Sequence, residues 1–364
     1  MRALRFHAAR DLRIENVAEP GAPGPTQVTV APHWCGICGT DLHEYTSGPI
    51  VTPSSPHPLT GATLPQILGH ELSAEVVAVG SAVNRVEVGD RVSVMPLIYC
   101  GRCDYCRRGL QHLCVTMACT GLSADWGGIS QLANLEEYQV FRIPDSVSDE
   151  QGALIEPCAV AAYGVSRGPV RPGDSVLIAG AGPIGAFAAL CAAAAGAGSV
   201  YLTEPNESRR DRARRLDLGE VFDPAATDVP AELRERTDGL GVDIAIECAG
   251  FGDAFRTCAE SVKRRGTVVQ VGLHTRRCEV DPMLWALNDL KIVGSWCYGV
   301  NDWPRVAAQI ASGRLPVERV VTGRLPMNEA ESGFERLTSG ATEDMKILIS
   351  MNGDAGITDY EGGR

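Results

Sequence analysis

The sequence has little that would attach it to a membrane or to nucleic acid. No apolar run approaches the roughly 20 residues that a membrane-spanning helix needs, and Met1 is followed by Arg2-Ala3-Leu4-Arg5 without an apolar signal region. Basic residues are in deficit, because 45 Asp and Glu outweigh 33 Lys and Arg and leave a net charge of −12. This balance disfavours nucleic acid and anionic membranes as partners. We therefore expect a cytoplasmic protein.

The chain has 13 cysteines, an odd number. In a reducing compartment, free thiols are more typical of metal ligands or buried side chains than of a disulfide frame. Four of them form a C-x2-C-x2-C-x7-C run in a turn-rich stretch: Cys100, Cys103, Cys106 and Cys114. Zn²⁺ takes four thiolates at about 2.3 Å, and a loop of this length can wrap one ion with no open coordination position. Free or disulfide-paired thiols are the alternative. The spacing favours a closed, structural zinc site.

The sequence pattern changes near residue 157. Before it, short alternating segments are broken by Gly and Pro, which is typical of an antiparallel β domain. From Asp174 onward, a buried strand at 175–179, a glycine turn, an alanine-rich helix and a strand at 199–203 form a βαβ unit. Further strands at 242–247, 267–271 and 291–295 predict a doubly wound parallel sheet, hence an α/β fold with two domains. The polar tail at 352–364 is predicted to be frayed or a surface arm.

The glycine turn carries the pattern G-x-G-x-x-G at Gly180, Gly182 and Gly185, with Pro183 and Ile184 between the last two. It follows a strand and opens a helix, which is the context of a dinucleotide-binding turn. The first glycine allows the tight turn, the second lets a pyrophosphate approach the backbone, and the third allows close helix packing.

Glu204, at the end of the next strand, is positioned to accept hydrogen bonds from the adenosine ribose. A carboxylate there repels a 2′-phosphate, so NAD is favoured over NADP. Arg209 and Arg210 lie close by in sequence and can temper that repulsion, which leaves NADP open.

A second group of metal-ligand types is dispersed along the chain. Cys38, His70 and Glu156 lie more than thirty residues apart, and Glu71 follows His70 directly. Cysteine, histidine and carboxylate together suit a zinc ion with three protein ligands and one open position. Taken alone, His70 is more typical of a structural histidine than of a ligand.

These motifs resemble those of the zinc-dependent medium-chain alcohol dehydrogenases, closest to the 2,3-butanediol dehydrogenases within the sorbitol and threonine dehydrogenase group. The resemblance covers nearly the whole chain and rests on residues 35–45, 57–61 and 69–71, the four-cysteine lobe, residues 152–157, and the glycine turn. It implies a GroES-like catalytic domain at 1–157 and 300–364, with a structural zinc lobe at 96–116. It also implies a Rossmann NAD-binding domain at 158–299, an active site in the interdomain cleft, and a homodimer or homotetramer.

The resemblance also implies roles for site residues. Cys38, His70 and Glu156 surround a catalytic zinc, and Glu71 is either a direct or an exchanging ligand. Thr40 matches the hydroxyl that binds the substrate alcohol, and His43 matches the proton relay to solvent. The resemblance implies two zinc ions per chain, one structural and one catalytic, and the catalytic zinc would serve hydride transfer from the alcohol to NAD. Asp41 is predicted to cap backbone N–H groups.

The substrate implied is a secondary alcohol, in particular a vicinal diol such as 2,3-butanediol, interconverted with its ketone. Sorbitol-like polyols, L-threonine and a specialised biosynthetic alcohol are the alternatives. Where sorbitol-type enzymes carry an aromatic-Arg-Tyr triplet, this chain has Trp296-Cys297-Tyr298, and the lost guanidinium argues against a long polyol. Trp296, Trp126 and Ile50 are candidates for a small apolar pocket, and Glu44 for contact with a second hydroxyl.

Two rival functions are disfavoured by the same residues. A metal-free quinone reductase would lack Cys38, His70 and the cysteine lobe. A non-catalytic dinucleotide-binding protein would lose the zinc ligands or the relay. The cysteines outside these motifs are predicted to be packing residues: Cys119, Cys158, Cys191, Cys248, Cys258, Cys278 and Cys297.

Overall fold

The computed structural model describes residues 1–339 and 343–351, so the tail at 352–364 lies outside the described residues. Two compact units divide the chain, Met1–Glu156 with Val321–Arg364, and Pro157–Val320. The return to the first unit thus lies at Val321, not at residue 300 as the resemblance implied. The physical reason is the helix Asp302–Ala311, which lines a groove together with helices of the second unit.

The strands of the described residues follow in chain order. They are β1 (Arg2–Ala8), β2 (Asp11–Asn16), β3 (Gln27–Gly36), β4 (Gln66–Ile67), β5 (Glu71–Val79), β6 (Arg91–Val94), β7 (Leu97–Ile98), β8 (Ala118–Cys119), β9 (Ala133–Glu136), β10 (Val140–Arg142), β11 (Ser175–Ala179), β12 (Ser199–Thr203), β13 (Glu220–Phe222), β14 (Val242–Glu247), β15 (Val262–Gln270), β16 (Lys291–Gly294), β17 (Val321–Pro326) and β18 (Lys346–Ser350).

The α-helices of the same residues are all short. They are α1 (Gly39–Ser47), α2 (Asp104–Arg107), α3 (Asp149–Ala153), α4 (Ile155–Arg167), α5 (Pro183–Ala194), α6 (Glu207–Arg215), α7 (Val229–Arg236), α8 (Gly252–Ser261), α9 (Pro282–Leu287), α10 (Asp302–Ala311) and α11 (Ala330–Thr338). None of these helices has the length and apolar character needed to cross a membrane.

The first unit is built on a largely antiparallel sheet in the order β10-β6-β5-β3-β18-β17, with β9 also pairing β3. Smaller sheets, β2-β1-β4 and β7-β8, complete it. The late strand β18 pairs with β3 so that Leu348 lies opposite Gly36. Residues from the two ends of the chain therefore meet beside the start of α1.

The second unit contains a six-stranded parallel sheet in the order β13-β12-β11-β14-β15-β16. The order reverses direction between β11 and β14, which creates the crevice where doubly wound sheets bind ligands at the carboxyl ends of their strands. The predicted α/β fold with a doubly wound sheet and a β-rich domain is confirmed.

Burial explains why these segments form their elements. The residues of β11 after Ser175 are fully buried, because helices cover both faces of a parallel sheet. Helix α10 buries Trp303, Val306 and Ile310, which recur at helical spacing on one face. Burying each such side chain contributes roughly 1.5–3 kcal/mol.

Candidate metal centres and dinucleotide site

The four cysteines of the lobe converge on one point. The Sγ atoms of Cys100, Cys103, Cys106 and Cys114 all lie within 4.8 Å of one another. Ligands at about 2.3 Å from a tetrahedral zinc are roughly 3.8 Å apart, which is within this limit, so the cluster can hold one ion. Backbone amides already point at the sulfurs, since Cys103 N donates to Cys100 Sγ at 3.3 Å and Cys100 N donates to Cys114 Sγ at 3.3 Å.

The pKa values of these thiols favour a bound cation. Hydrogen bonds from the backbone amides of Arg102 and Cys103 lower the pKa of Cys100 to about 6. Burial and the neighbouring thiols Cys103 and Cys114 raise the pKa of Cys106 to about 12. Several thiolates this close together are stable only when a cation offsets their repulsion, which zinc does.

The second group consists of Cys38, His70 and Glu71, whose ligand atoms also lie within 4.8 Å of one another. Cys38 is the N-cap residue of α1, two residues after the end of β3; His70 directly precedes β5, and Glu71 is its first residue. Close approach explains the glycine at position 36, because a Cβ there would lie 2.0 Å from Glu71 Oε2. A soft thiolate, an imidazole and a carboxylate form a donor set that suits zinc.

Asp41 orients this group from within α1. Its Oδ2 accepts a hydrogen bond from Cys38 N at 3.0 Å, which is the predicted capping contact. Its Oδ1 lies 3.4 Å from His70 Nδ1. Burial opposes protonation of His70, but the charges of Asp41 and Cys38 raise its pKa well above the usual value. A carboxylate on Nδ1 leaves Nε2 as the metal-binding nitrogen.

Sequence reasoning missed Lys346, which is buried beside the same group. Its Nζ donates to Glu71 Oε1 at 2.8 Å, to Glu71 Oε2 at 2.6 Å and to Ile37 O at 2.9 Å. Glu71 is thus already neutralised by a cation. The available signal was a charged residue at the head of the apolar strand Lys346-Ile-Leu-Ile-Ser350, all of it buried.

Glu156 is buried in the first turn of α4 but is not a member of the three-residue group. Its charge nevertheless acts on the site. Burial raises the pKa of Cys119 to about 12, and Glu156 adds to that rise, whereas His70 opposes it. The geometry therefore places Glu71 among the converging donor atoms and Glu156 within electrostatic range of them.

Thr40 and His43 lie three residues apart in α1, so they share one face of the helix, and both are half-buried. Glu44 points elsewhere and is fully buried. Its carboxylate accepts hydrogen bonds from Thr52 Oγ1 at 2.6 Å and Ile50 N at 3.0 Å. The carboxylate suggested for a second substrate hydroxyl thus holds the loop that follows α1.

The other pocket candidates differ in burial and lie in different units. Trp126 packs against the hydrophobic core of the first unit, and Ile50 is 58% exposed on its loop. Trp296 is 45% exposed in the second unit. Core packing explains Trp126, while Ile50 and Trp296 stay candidates for contact with a ligand.

The glycine turn has the shape that a pyrophosphate needs. Gly180 adopts a φ of +105°, and a Cβ at Gly185 would lie 1.9 Å from Gly180 O. Gly182 caps α5, with Pro183 and Ile184 in the first turn, and a Cβ there would meet no atom within 4 Å. The space beside Gly182 is therefore open at a helix N-terminus, where an anion is stabilised.

Glu204 lies against this turn at the end of β12. Its Oε2 accepts a hydrogen bond from Ala181 N at 2.9 Å. Arg210 is turned away, because its Nη2 pairs with Asp223 Oδ2 at 3.0 Å and its Nη1 binds backbone carbonyls. Arg209, in the same turn of α6, is half-buried.

The loop after β14 is a further part of the crevice that sequence reasoning missed. Phe251 follows β14 at the carboxyl edge of the sheet and is 71% exposed. An exposed aromatic ring at the point where strand order reverses is suited to contact an adenine or nicotinamide ring. The signal in the sequence was Gly250-Phe251-Gly252, which begins three residues after the end of a buried strand.

Comparisons with known proteins identify the family of each unit. Residues 24–145 match the alcohol dehydrogenase GroES-like domain, and residues 183–312 match the zinc-binding dehydrogenase domain. An (R,R)-butanediol dehydrogenase of Bacillus subtilis is 37% identical over 97% of this chain and 100% of its own length. The crystal structure of 2R,3R-butanediol dehydrogenase from Bacillus subtilis has a TM-score of 0.89 over 96% of this chain and 99% of its own.

Two further relatives bear on substrate and cofactor. A sorbitol dehydrogenase of Bacillus subtilis is 32% identical over 97% of this chain and 98% of its own length. A zinc-binding dehydrogenase from Sinorhizobium meliloti, solved with NADP bound, has 30% identity and a TM-score of 0.86 over 96% of this chain and 98% of its own.

Proposed function

The chain belongs to the zinc-dependent alcohol dehydrogenase family and is an oxidoreductase; from that premise we propose that it interconverts a vicinal diol, 2,3-butanediol in particular, with its hydroxyketone. The observation that carries the proposal is the convergence of Cys38, His70 and Glu71 beside a helix that bears Thr40 and His43. Full-length similarity to butanediol dehydrogenases supports the choice of diol.

The residues of the first unit have distinct roles in this reaction. A zinc ion held by Cys38, His70 and Glu71 would act as a Lewis acid toward the alcohol oxygen. Thr40 binds the alcohol hydroxyl and accepts its proton as it gives its own hydroxyl proton toward His43, three residues along the same helix face, which passes a proton to solvent. Glu156 adds negative charge near the group, so that it is the alternative direct ligand.

The second unit holds the hydride acceptor, for which we propose NAD. The open space beside Gly182 at the N-terminus of α5 supports a pyrophosphate site there, and the position of Glu204 against the same turn supports its role toward the ribose hydroxyls. The pairing of Arg210 with Asp223 removes one cation that could hold a 2′-phosphate. Arg209 is the residue through which NADP would be accepted instead.

A polyol is the second candidate, because a sorbitol dehydrogenase is among the relatives. Trp296-Cys297-Tyr298 argues against it, since the triplet offers no guanidinium to hold a row of hydroxyls. L-Threonine and a specialised biosynthetic alcohol are the remaining alternatives. We also propose a cytoplasmic location and a homodimer or homotetramer.

The test is NADH formation by zinc-loaded protein with 2,3-butanediol, sorbitol, xylitol and threonine, and acetoin reduction in reverse. We expect preference for butanediol and acetoin, with two zinc ions per chain. The Cys38→Ser variant should keep one zinc ion per chain and lose turnover. The Cys278→Ser variant, at an exposed thiol in the second unit, should keep both zinc ions. Turnover with sorbitol alone would overturn the diol assignment, and NAD binding without any turnover would favour a non-catalytic role.

Zinc content also shows which carboxylate, that of Glu71 or that of Glu156, is the direct zinc ligand. If Glu71 is the direct ligand, Glu71→Gln lowers the affinity for the catalytic zinc more than Glu156→Gln does. The reverse order would assign the ligand to Glu156.

A further inference from the structure

The second unit contains a pair of adjacent thiols that the proposed reaction does not use. Cys158 lies in α4 and Cys191 in α5, and their Sγ atoms are 3.8 Å apart. Both are free cysteines in the interior, which the sequence predicted to be packing residues. Packing alone requires no contact between two sulfurs.

A groove gives small molecules access to one member of the pair. It has a volume of about 330 Å³ and is lined by residues of α4, α5 and α10, with Cys191 in its wall. Cys191 is 5% exposed and Cys158 is 0% exposed. A water molecule occupies about 30 Å³ in the liquid, so the groove has room for a reagent a little larger than water. Such a reagent reaches Cys191 first, with Cys158 behind it.

We propose that Cys158 and Cys191 form an oxidation site, in which a peroxide converts the two thiols into an intramolecular disulfide. In the first step, the sulfur of Cys191 attacks one peroxide oxygen, the O–O bond breaks, and a sulfenic acid and one water form. In the second step, the sulfur of Cys158 attacks that of Cys191, the S–O bond breaks, and the Cys158 proton leaves with the hydroxide as a second water. The two thiols lose two electrons, and the peroxide gains them.

The geometry suits the second step. A disulfide bond is about 2.05 Å long, so the sulfurs must approach by about 1.7 Å, a movement within reach of side-chain rotation and a small helix shift. Because Cys158 is buried against Cys191, it intercepts the sulfenic acid before a second peroxide does. The pair thereby protects Cys191 from irreversible oxidation.

Peptide mapping tests this directly, because trypsin separates the two thiols. Cleavage at Arg142, Arg167 and Arg209 gives peptides 143–167 and 168–209, each with a single cysteine. Zinc-loaded protein is treated with hydrogen peroxide, alkylated, digested without reductant and analysed by mass spectrometry. We expect the two peptides joined and lighter by two hydrogen atoms than their sum, and separated again by dithiothreitol.

Variants and an internal marker decide the outcome. Cys158→Ala should abolish the joined species and leave Cys191 as its sulfinic acid, whereas Cys258→Ala, at another buried thiol of the second unit, should leave it unchanged. Exposed Cys278 reports the peroxide dose. If Cys278 is oxidised while 143–167 and 168–209 stay unlinked in the unaltered protein, the proposal is wrong. This result is independent of the alcohol that the enzyme oxidises.

Discussion

At the scale of single residues, Lys346 pairs with the carboxylate of the metal group. Its ammonium contacts both oxygens of Glu71, and neither side chain is exposed by more than 2%. Removing one partner from such a buried pair leaves an uncompensated charge, which costs more than the pair itself contributes.

We therefore expect Lys346→Met to lower the free energy of unfolding of the first unit by about 3–5 kcal/mol. The double variant Lys346→Met/Glu71→Gln should recover most of that loss, because no unpaired charge remains. Urea unfolding of the metal-free protein measures both. Equal losses in the single and double variants would show that Lys346 acts through packing of its aliphatic stem instead.

Asp243 gives a pH-dependent prediction in the second unit, away from the metal ligands. Burial alone would raise its pKa, but hydrogen bonds from Lys263 and Ser175 lower it below the usual value. A lowered folded-state pKa adds stability above the unfolded value near 3.9, and that stability is lost as pH falls through the folded value.

Accordingly, Asp243→Asn should destabilise the second unit by about 1 kcal/mol at pH 7, after allowance for solvent screening. The difference from the unaltered protein should shrink as the pH is lowered below about 4. Urea midpoints of both proteins at a series of pH values measure this difference in stability. A difference that stays constant over that range would mean that the charge of Asp243 contributes nothing.

Local spacing explains which site residues could be predicted from sequence. The lobe cysteines and the glycine turn are each contained in a short segment, so their chemistry is visible without a fold. Lys346 could not be found in this way, because 275 residues separate it from Glu71. The two meet only because β3 pairs with β18 on one side and with β5 on the other.

At the scale of secondary-structure elements, the strand-turn-helix of β11 and α5 separates a fold requirement from a ligand requirement. Gly185 has no room for a side chain, since a Cβ would lie 1.9 Å from Gly180 O. Gly182 has ordinary dihedral angles, with φ at −72°, and open space around it. The two glycines should therefore respond differently to the same substitution.

We expect Gly182→Ala to leave stability within about 0.5 kcal/mol but to weaken NADH binding by about tenfold or more, because the methyl group occupies the pyrophosphate space. Gly185→Ala should lower stability as well, because helix α5 must move away from Gly180. Thermal unfolding and NADH fluorescence titration separate these effects. Unchanged NADH affinity in Gly182→Ala would place the pyrophosphate elsewhere.

The pattern of elements was predictable because a buried parallel strand and an amphipathic helix have different periods in sequence. The return of the chain to the first unit was not. Helix α10 has an amphipathic face that either unit could bury, so its sequence contains no information about which unit it joins. Which unit buries this face can be read only from the folded structure, in which the surfaces around the helix are known.

At the scale of the whole molecule, the edge strand β16 has the features of a subunit interface. It pairs with β15 on one side, and three of its four residues are exposed. On α9, the helix that precedes β16 in the chain, Leu287 is 72% exposed and Met283 is 64% exposed. An unpaired strand edge with apolar neighbours is a liability that a second copy of the same edge can cover by a two-fold axis.

We expect light scattering to give two or four times the chain mass of 38.7 kDa. Leu287→Lys should lower that mass by half or more, because a desolvated ammonium at the centre of an apolar patch opposes association. Leu240→Lys, at a residue 67% exposed elsewhere in the second unit, is the matched control and should keep the assembly. An assembly that survives Leu287→Lys uses another surface, and a monomeric unaltered protein would rule out the homo-oligomer altogether.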